Sequence, residues 1–254
     1  MPSTHPPARL AALLLIVLGP LLWLLIGHGR PISQDPGYHV FADGRSCLGI
    51  ANFGNVASNL AFLAVGIAGL LAARRGDGAR LSWQAFFAGV ALVSAGSAWY
   101  HLAPSDATLF WDRLPMTLAF MALFTALMSE HLGAALEKPL LPVAVAIGAA
   151  SLGWWLASGD LRIYIWVQAA PLLAVPYLLA AFPGRHTQRL WLLWGVGLYA
   201  LAKVAEVRDY EIYAWSGMTI SGHTLKHLLA AAGAYCVVAM LKRRQSLTPV
   251  ASSQ

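Results

Sequence analysis

Long apolar runs alternate with short polar connections along the whole chain. A window of about 19 residues finds eight apolar stretches, near 10–27, 52–73, 82–101, 111–129, 139–158, 163–182, 190–206 and 221–241. At about 1.5 Å of rise per residue most of them reach the roughly 30 Å of a bilayer core, the shorter ones with tilt or local thinning. The connections are brief and rich in Arg, Gly, Pro and Asp, as in ARRGDGAR (73–80) and PGRHTQR (183–189), so no soluble second domain fits between them. The expected fold class is all-α, a polytopic transmembrane helix bundle with a seven-helix core plus one extra N-terminal transmembrane helix. Residues 1–30 form a cytoplasmic tail and the extra anchor, 31–50 an outer loop, 51–241 the seven-helix core, and 242–254 a disordered cytoplasmic tail.

Composition agrees with the pattern, since 58% of the residues are hydrophobic and only 11% are charged, which excludes an ordinary soluble domain. A formal charge of +6 raises the question of a nucleic-acid partner. Basic residues of membrane proteins, however, collect in cytoplasmic loops, and topology accounts for them here without nucleic acid. With the amino terminus inside, the inner side holds ten cations: Arg9, Arg74, Arg75, Arg80, Lys138, Arg185, Arg189, Lys242, Arg243 and Arg244. The outer side holds four, Arg30, Arg45, Arg162 and Arg208, while Arg113, Lys203 and Lys226 lie in or beside spans. Both termini are therefore expected in the cytoplasm. The first span reads as an uncleaved anchor rather than a signal peptide, because it is span-length, lacks a clear A-x-A site and contains Pro20. Cys47 and Cys236 have neither the number nor the placement of a disulfide framework.

That topology has a chemical consequence. The third span runs outward and ends in Ser97 and His101, the fourth runs inward from near Asp112, and the eighth runs inward from His223 and His227. All five residues are expected at one depth, near the outer face. Residues i and i+4 share a helix face, so each pair can point into the bundle. Ionisable side chains at membrane depth are costly and mark functional sites. Three imidazoles from two helices can supply three ligands to a zinc ion at about 2.0–2.1 Å per nitrogen and leave a fourth position for water. Such a site yields a hydroxide nucleophile near neutral pH. Asp112 is then placed to take the water's proton and return it to a leaving amine, and Ser97 to donate a hydrogen bond to the developing oxyanion. Either histidine pair by itself is more often packing than ligation; coincidence of depth is what favours the metal. His5, His28, His39, His131 and His186 are expected in solvated or interfacial roles.

The blocks NFGNVASNL (52–60), GSAWYH (96–101), WDRLPM (111–116) and SGHTLKHLLAA (221–231) together resemble the alkaline ceramidase family, which belongs to a superfamily of seven-helix membrane hydrolases and progestin/adiponectin-type receptors. The resemblance covers roughly residues 50–241. It implies a zinc-dependent intramembrane amidase that splits the amide of a ceramide-like lipid into a fatty acid and a sphingoid-type amine. His101, His223 and His227 match the zinc ligands, Asp112 the acid/base residue and Ser97 the serine near the metal. Asn55, Ser58 and Asn59 match an N-x-x-S-N pattern of the first core helix, for which interhelical hydrogen bonding is the favoured role.

The departures from that family also carry information. The segment before the core reads SQDPGYHVFADGRSCLGIAN, where Asp35 and Asp43 are the only carboxylates and Asn52 stands where the family has Glu. Calcium asks for six to eight oxygens, so no calcium site is expected. With the extra span, this points to a divergent bacterial member in the inner membrane, whose partners are a lipid amide substrate and membrane lipids. Glu206 or Asp209 is a candidate acceptor for the second nitrogen of a ligand imidazole, although Glu206 can equally pair with Lys203. Lys226 is expected to snorkel toward the interface. Two other readings stay open: a zinc-binding receptor without turnover, and a non-catalytic bundle whose histidines hold haem or relay protons.

Overall fold

A computed structural model describes residues 6–247. His5 and residues 248–254, the greater part of the expected tail, lie outside the described residues. The chain forms α1 (Pro7–Leu22), α2 (Phe53–Ser58), α3 (Leu60–Arg75), α4 (Arg80–Leu102), α5 (Asp106–His131), α6 (Glu137–Ser158), α7 (Arg162–Ala181), α8 (Trp191–Val207), α9 (Asp209–Trp215) and α10 (Gly222–Arg243). Past Pro20, α1 widens into a π turn over Trp23–Gly27. Among the described residues there is no strand, only the isolated bridges Cys47 to Ile50 and His186 to Ser246.

Among the described residues, six helical segments are long and apolar enough to cross a membrane: Pro7–Gly27, Phe53–Arg75, Arg80–Leu102, Ala134–Ser158, Arg162–Ala181 and Gly222–Arg243. Two of the eight expected spans fall outside that set for different physical reasons. The helix α8 has 17 residues, about 25 Å of rise, before the chain turns at Arg208. The helix α5 is long, at 26 residues, but carries charge; 16 of those residues are buried. Its neighbours are helices rather than lipid, so its surface need not be apolar.

The helices close a ring in the order α3, α4, α5, α6, α7, α8, α10, with α10 packing back on α3 and α1 lying outside against α7. Close approaches rely on glycine: Gly69 of α3 sits on the Phe87 ring and Gly66 on the backbone of Ala91, where a Cβ would collide. Local signals set the helix ends. Ser105 and Thr108 form a capping box at α5, with 3.2 Å from the Thr108 amide to Ser105 Oγ and 3.1 Å from the Ser105 amide to Thr108 Oγ1.

The end of the bundle that carries Arg74, Arg75 and Arg244 is tied by a buried polar knot. Glu130 Oε1 accepts from Trp83 Nε1 and from Arg244 Nη1, both at 2.7 Å. His186 meets Asp77 at 3.2 Å, and the Leu247 amide donates to the Arg185 carbonyl at 2.8 Å. The chain thus stays paired as far as Leu247, beyond where disorder was expected to begin. His131 and His186 are not solvated but buried, at 6% and 7% exposure; His131 bonds the Leu127 carbonyl of its own helix, and His186 bridges to Ser246 of the carboxyl-terminal segment.

At the opposite end Asp160 joins three segments. Its carboxylate accepts from the Ile32 amide at 3.2 Å and from Arg162 Nε at 2.9 Å, while Arg162 Nη1 reaches the Leu24 and Leu25 carbonyls at 3.2 and 3.3 Å. The Arg162 guanidinium holds the Asp160 carboxyl down at about 2. A depressed folded-state value stabilises above the unfolded value near 3.9, and the contribution is lost as pH falls from there through about 2. Asp160→Asn should lower the thermal midpoint in detergent at pH 7 by roughly 2–4 °C, the effect of about 1 kcal/mol in a chain of this size. Melts repeated at about pH 2 should bring variant and wild type close together; an undiminished gap there would show that the carboxylate charge is not what matters.

Candidate metal centre and active site

The carboxyl-terminal turn of α4 and the amino-terminal turns of α10 meet at the end of the ring that carries Asp160. They bring three imidazoles face to face. His101, His223 and His227 are 0%, 4% and 2% exposed, and one ring nitrogen of each lies within 4.8 Å of the others. Their ring centroids are 4.8–5.0 Å apart. His101 Nε2 and His227 Nε2 are separated by 3.3 Å. Two ligands on a tetrahedral zinc at 2.0–2.1 Å would stand about 3.3–3.4 Å apart, so this spacing is that of one edge of such a site. His101 Nδ1 is buried with no hydrogen-bond partner among the described residues. The donor set and its spacing fit a zinc ion.

Hydrogen bonding fixes the state of one ring. Ser58 Oγ donates its single proton to the Asn55 carbonyl at 3.0 Å, so at 2.8 Å it accepts from His227 Nδ1–H. The lone pair of His227 is then on Nε2, facing His101. Asn55 Oδ1 in turn accepts from Thr224 Oγ1 at 2.9 Å, and Asn59 Nδ2 donates to the Asn55 carbonyl at 2.7 Å. The N-x-x-S-N motif therefore forms the hydrogen bonds between helices expected of it and also orients a candidate ligand. Sequence reasoning did not assign Ser58 that role; its equal depth with the histidines was the available signal.

The two acidic candidates bond elsewhere than to a ligand ring. Asp209 Oδ1 accepts from the His223 backbone N–H at 2.7 Å and Oδ2 from the Ala42 N–H at 2.9 Å, so it caps α10 and holds the segment before α2. Glu206 accepts from Tyr38 OH at 2.8 Å and Lys226 Nζ at 2.7 Å and also pairs with Lys203. Lys226 does not snorkel outward as expected: its side chain is 18% exposed and its Nζ lies 3.2 Å from His223 Nε2. The buried Glu206 carboxylate draws it inward.

Ser97 (2% exposed) and Asp112 (7%) are neighbours across the α4–α5 seam and line one cavity. Gly96 makes that possible. A Cβ there would run into the Trp111 carbonyl and lie 3.3 Å from Asp112 Cα. Ser97, Asp112 and His227 stand at the head of a mostly apolar cavity of about 300 Å³ that continues past Phe86, Met116 and Leu123 into the bundle. The segment before α2 lies against the histidines. Phe41 sits edge-on to His101 and His223, each at 4.8 Å, and Asn52 donates to the His101 carbonyl at 2.8 Å. The Asp43 carboxylate in that segment is held below its usual range by two Arg45 contacts of 2.8 Å.

Residues 47–183, more than half of the chain, match the family model described as Ceramidase. The chain belongs to the ceramidase family. It is accordingly an amide-bond hydrolase acting on ceramide, set in a membrane. Among curated proteins, none matches this chain at a significant level. The ceramidase match contains Ser97, His101 and Asp112 and stops before α10, whose two histidines reach the site through the closure of the ring.

Gly96→Ala tests the seam. It should leave the helical content seen by circular dichroism intact while lowering fatty-acid release by about 10²-fold, since a displacement of about 1 Å is costly to catalysis. Full activity would mean that the approach of α5 to α4 is not needed.

Proposed function

We propose that this ceramidase-family chain is a zinc-dependent intramembrane amidase, with His101, His223 and His227 as ligands and Ser97 and Asp112 as the catalytic pair. The observation that carries it is three carboxylate-free, buried imidazoles with donors within 4.8 Å, next to a Ser–Asp pair at the head of an apolar cavity. Zinc bound there would polarise the amide carbonyl and acidify a water.

The chain's own groups supply the rest. The apolar cavity below Ser97 takes the acyl chain and so presents the amide to the polar head of the site. Asp112 takes the proton of the attacking water and delivers it to the departing amine nitrogen, which leaves as the free sphingoid-type base. Ser97 stands beside Asp112 in the resting enzyme and turns its hydroxyl to the oxyanion in the transition state. Ser58 keeps the His227 tautomer fixed, and Asp209 holds the first turn of α10. Phe41 excludes bulk water from the outer side. The cations Arg74, Arg75, Lys242 and Arg243 end α3 and α10 at the opposite end of the bundle, which supports cytoplasmic termini and an outer-face site on a catalytic core over 51–241.

Elemental analysis of detergent-purified protein, combined with mass spectrometry of fatty acid released from ceramide, tests this directly. Wild type should hold stoichiometric zinc, and His223→Ala should lose both metal and turnover. Asp112→Asn should keep the zinc and lose turnover by about 10²–10⁴-fold. Ser58→Ala should weaken zinc binding by about 10–100-fold. Zinc-free wild type, or an Asp112→Asn enzyme of full activity, would refute the mechanism; zinc without release would favour the receptor reading.

A further inference from the structure

Arg113 follows Asp112 on α5 and lines the same cavity, at 6% exposure. The other charged groups along that wall are compensated or already engaged. Glu206 pairs with both Lys203 and Lys226, and Asp112 stands beside Ser97. For Arg113, no carboxylate among the described residues lies within ion-pair distance. Successive residues point about 100° apart around a helix, so Asp112 and Arg113 do not close on each other. Nη1 of Arg113 is buried without a hydrogen-bond partner, and Nη2 has only the neutral Gln34 amide oxygen, at 2.6 Å. Three rings hold the guanidinium in place: Trp155 at 4.6 Å, Tyr164 at 4.9 Å and Tyr38 at 5.7 Å from their centroids.

A desolvated guanidinium with a free donor arm is costly unless an anion joins it. Aromatic faces offset part of that cost and orient the planar fork without occupying its hydrogen-bonding edge. The cavity lining carries three cations (Arg113, Lys203, Lys226) against two carboxylates (Asp112, Glu206), so the site is one negative charge short even before a metal is counted. The apolar walls take the acyl chain, which leaves the amine half of the substrate at the polar end, where Arg113 stands.

We infer that Arg113 is a specificity residue that binds an anionic group, a phosphate, sulfonate or carboxylate, on the amine half of the amide lipid. This rests on the amidase reading above. Two other sources of charge or of structural effect are separable by experiment. A carboxylate on the released fatty acid is the same whatever the headgroup, and a purely mechanical role would run through Gln34 and the segment before α2.

The test compares ceramide with ceramide phosphate of the same acyl chain as substrates for wild type, Arg113→Gln, Arg113→Lys and Gln34→Ala. Wild type should favour the phosphate-headed lipid in kcat/KM. Arg113→Gln should reduce that preference about tenfold or more, the weight of one charge-assisted contact, and Arg113→Lys should keep part of it. Gln34→Ala should leave the ratio as in wild type. A wild-type preference for neutral ceramide, or an equal loss on both lipids in Arg113→Gln, would overturn the inference while the amidase stands. If wild type cleaves neither lipid, the amidase reading fails. Native mass spectrometry of the two lipids on wild type and Arg113→Gln then still decides Arg113: a charge-selective retention lost in the variant supports it, and equal retention overturns it.

Discussion

Polar atoms inside a helical bundle have no water to turn to, and the arrangement of this protein follows from how each of them is satisfied. The three histidines at the junction of α4 and α10 are the extreme case. His227 has one nitrogen committed to Ser58 and the other aimed at His101, 3.3 Å away. Two imidazoles so placed repel if both are charged and are stabilised by a shared cation. The surrounding groups preserve that arrangement: Ser58 and Asn55 from α2, Asp209 on the α10 backbone and Asn52 on the His101 carbonyl. Each uses its hydrogen-bonding capacity on orientation and adds no ligand of its own.

Close backbone approach is the second requirement, and glycine meets it at the seams that matter. Gly96 lets α5 reach α4 and so sets Asp112 beside Ser97, while Gly222 rests against the Ala205 and Arg208 carbonyls at the turn into α9. Both glycines adjoin site residues in sequence, so the residues that allow the helices to meet and the residues that act are positioned by the same turns. The charged cluster Lys203–Glu206–Lys226 then closes the wall beside them. Tyr38 joins the segment before α2 to that cluster through Glu206.

The two ends of the bundle divide the work. At one end Glu130, Arg244, Asp77 and His186 form a knot that binds the carboxyl-terminal segment to two loops, far from the cavity head. At the other end the segment before α2 lies over the histidines and is held by Asp209, Glu206 and Asp160 in turn. Between them the apolar cavity is walled by helices that contribute Val, Phe, Leu and Met side chains. One chamber therefore offers hydrocarbon along its length and polar groups at its head.

Hydrophobic pattern and charge asymmetry alone determined the helical class, the approximate spans and the common depth of Ser97, His101, Asp112, His223 and His227, because burial in lipid demands runs of fixed length and the i, i+4 repeat sets a face. That logic weakened at two helices: α5 carries charge because other helices shield it, and α8, at 17 residues, is short, yet both complete the ring. Tertiary structure decided what each carboxylate touches. Asp209 went to a backbone amide and Glu206 to two lysines, and Ser58, a residue read as interhelical glue, reached His227. Lys226, which a helix in isolation would extend to water, turned inward because a buried carboxylate on a neighbouring helix attracts it more strongly than the interface. Glu206 and Lys226 are 20 residues apart in the chain and Ser58 and His227 are 169 apart, and only the packing of their helices brings them within hydrogen-bonding distance.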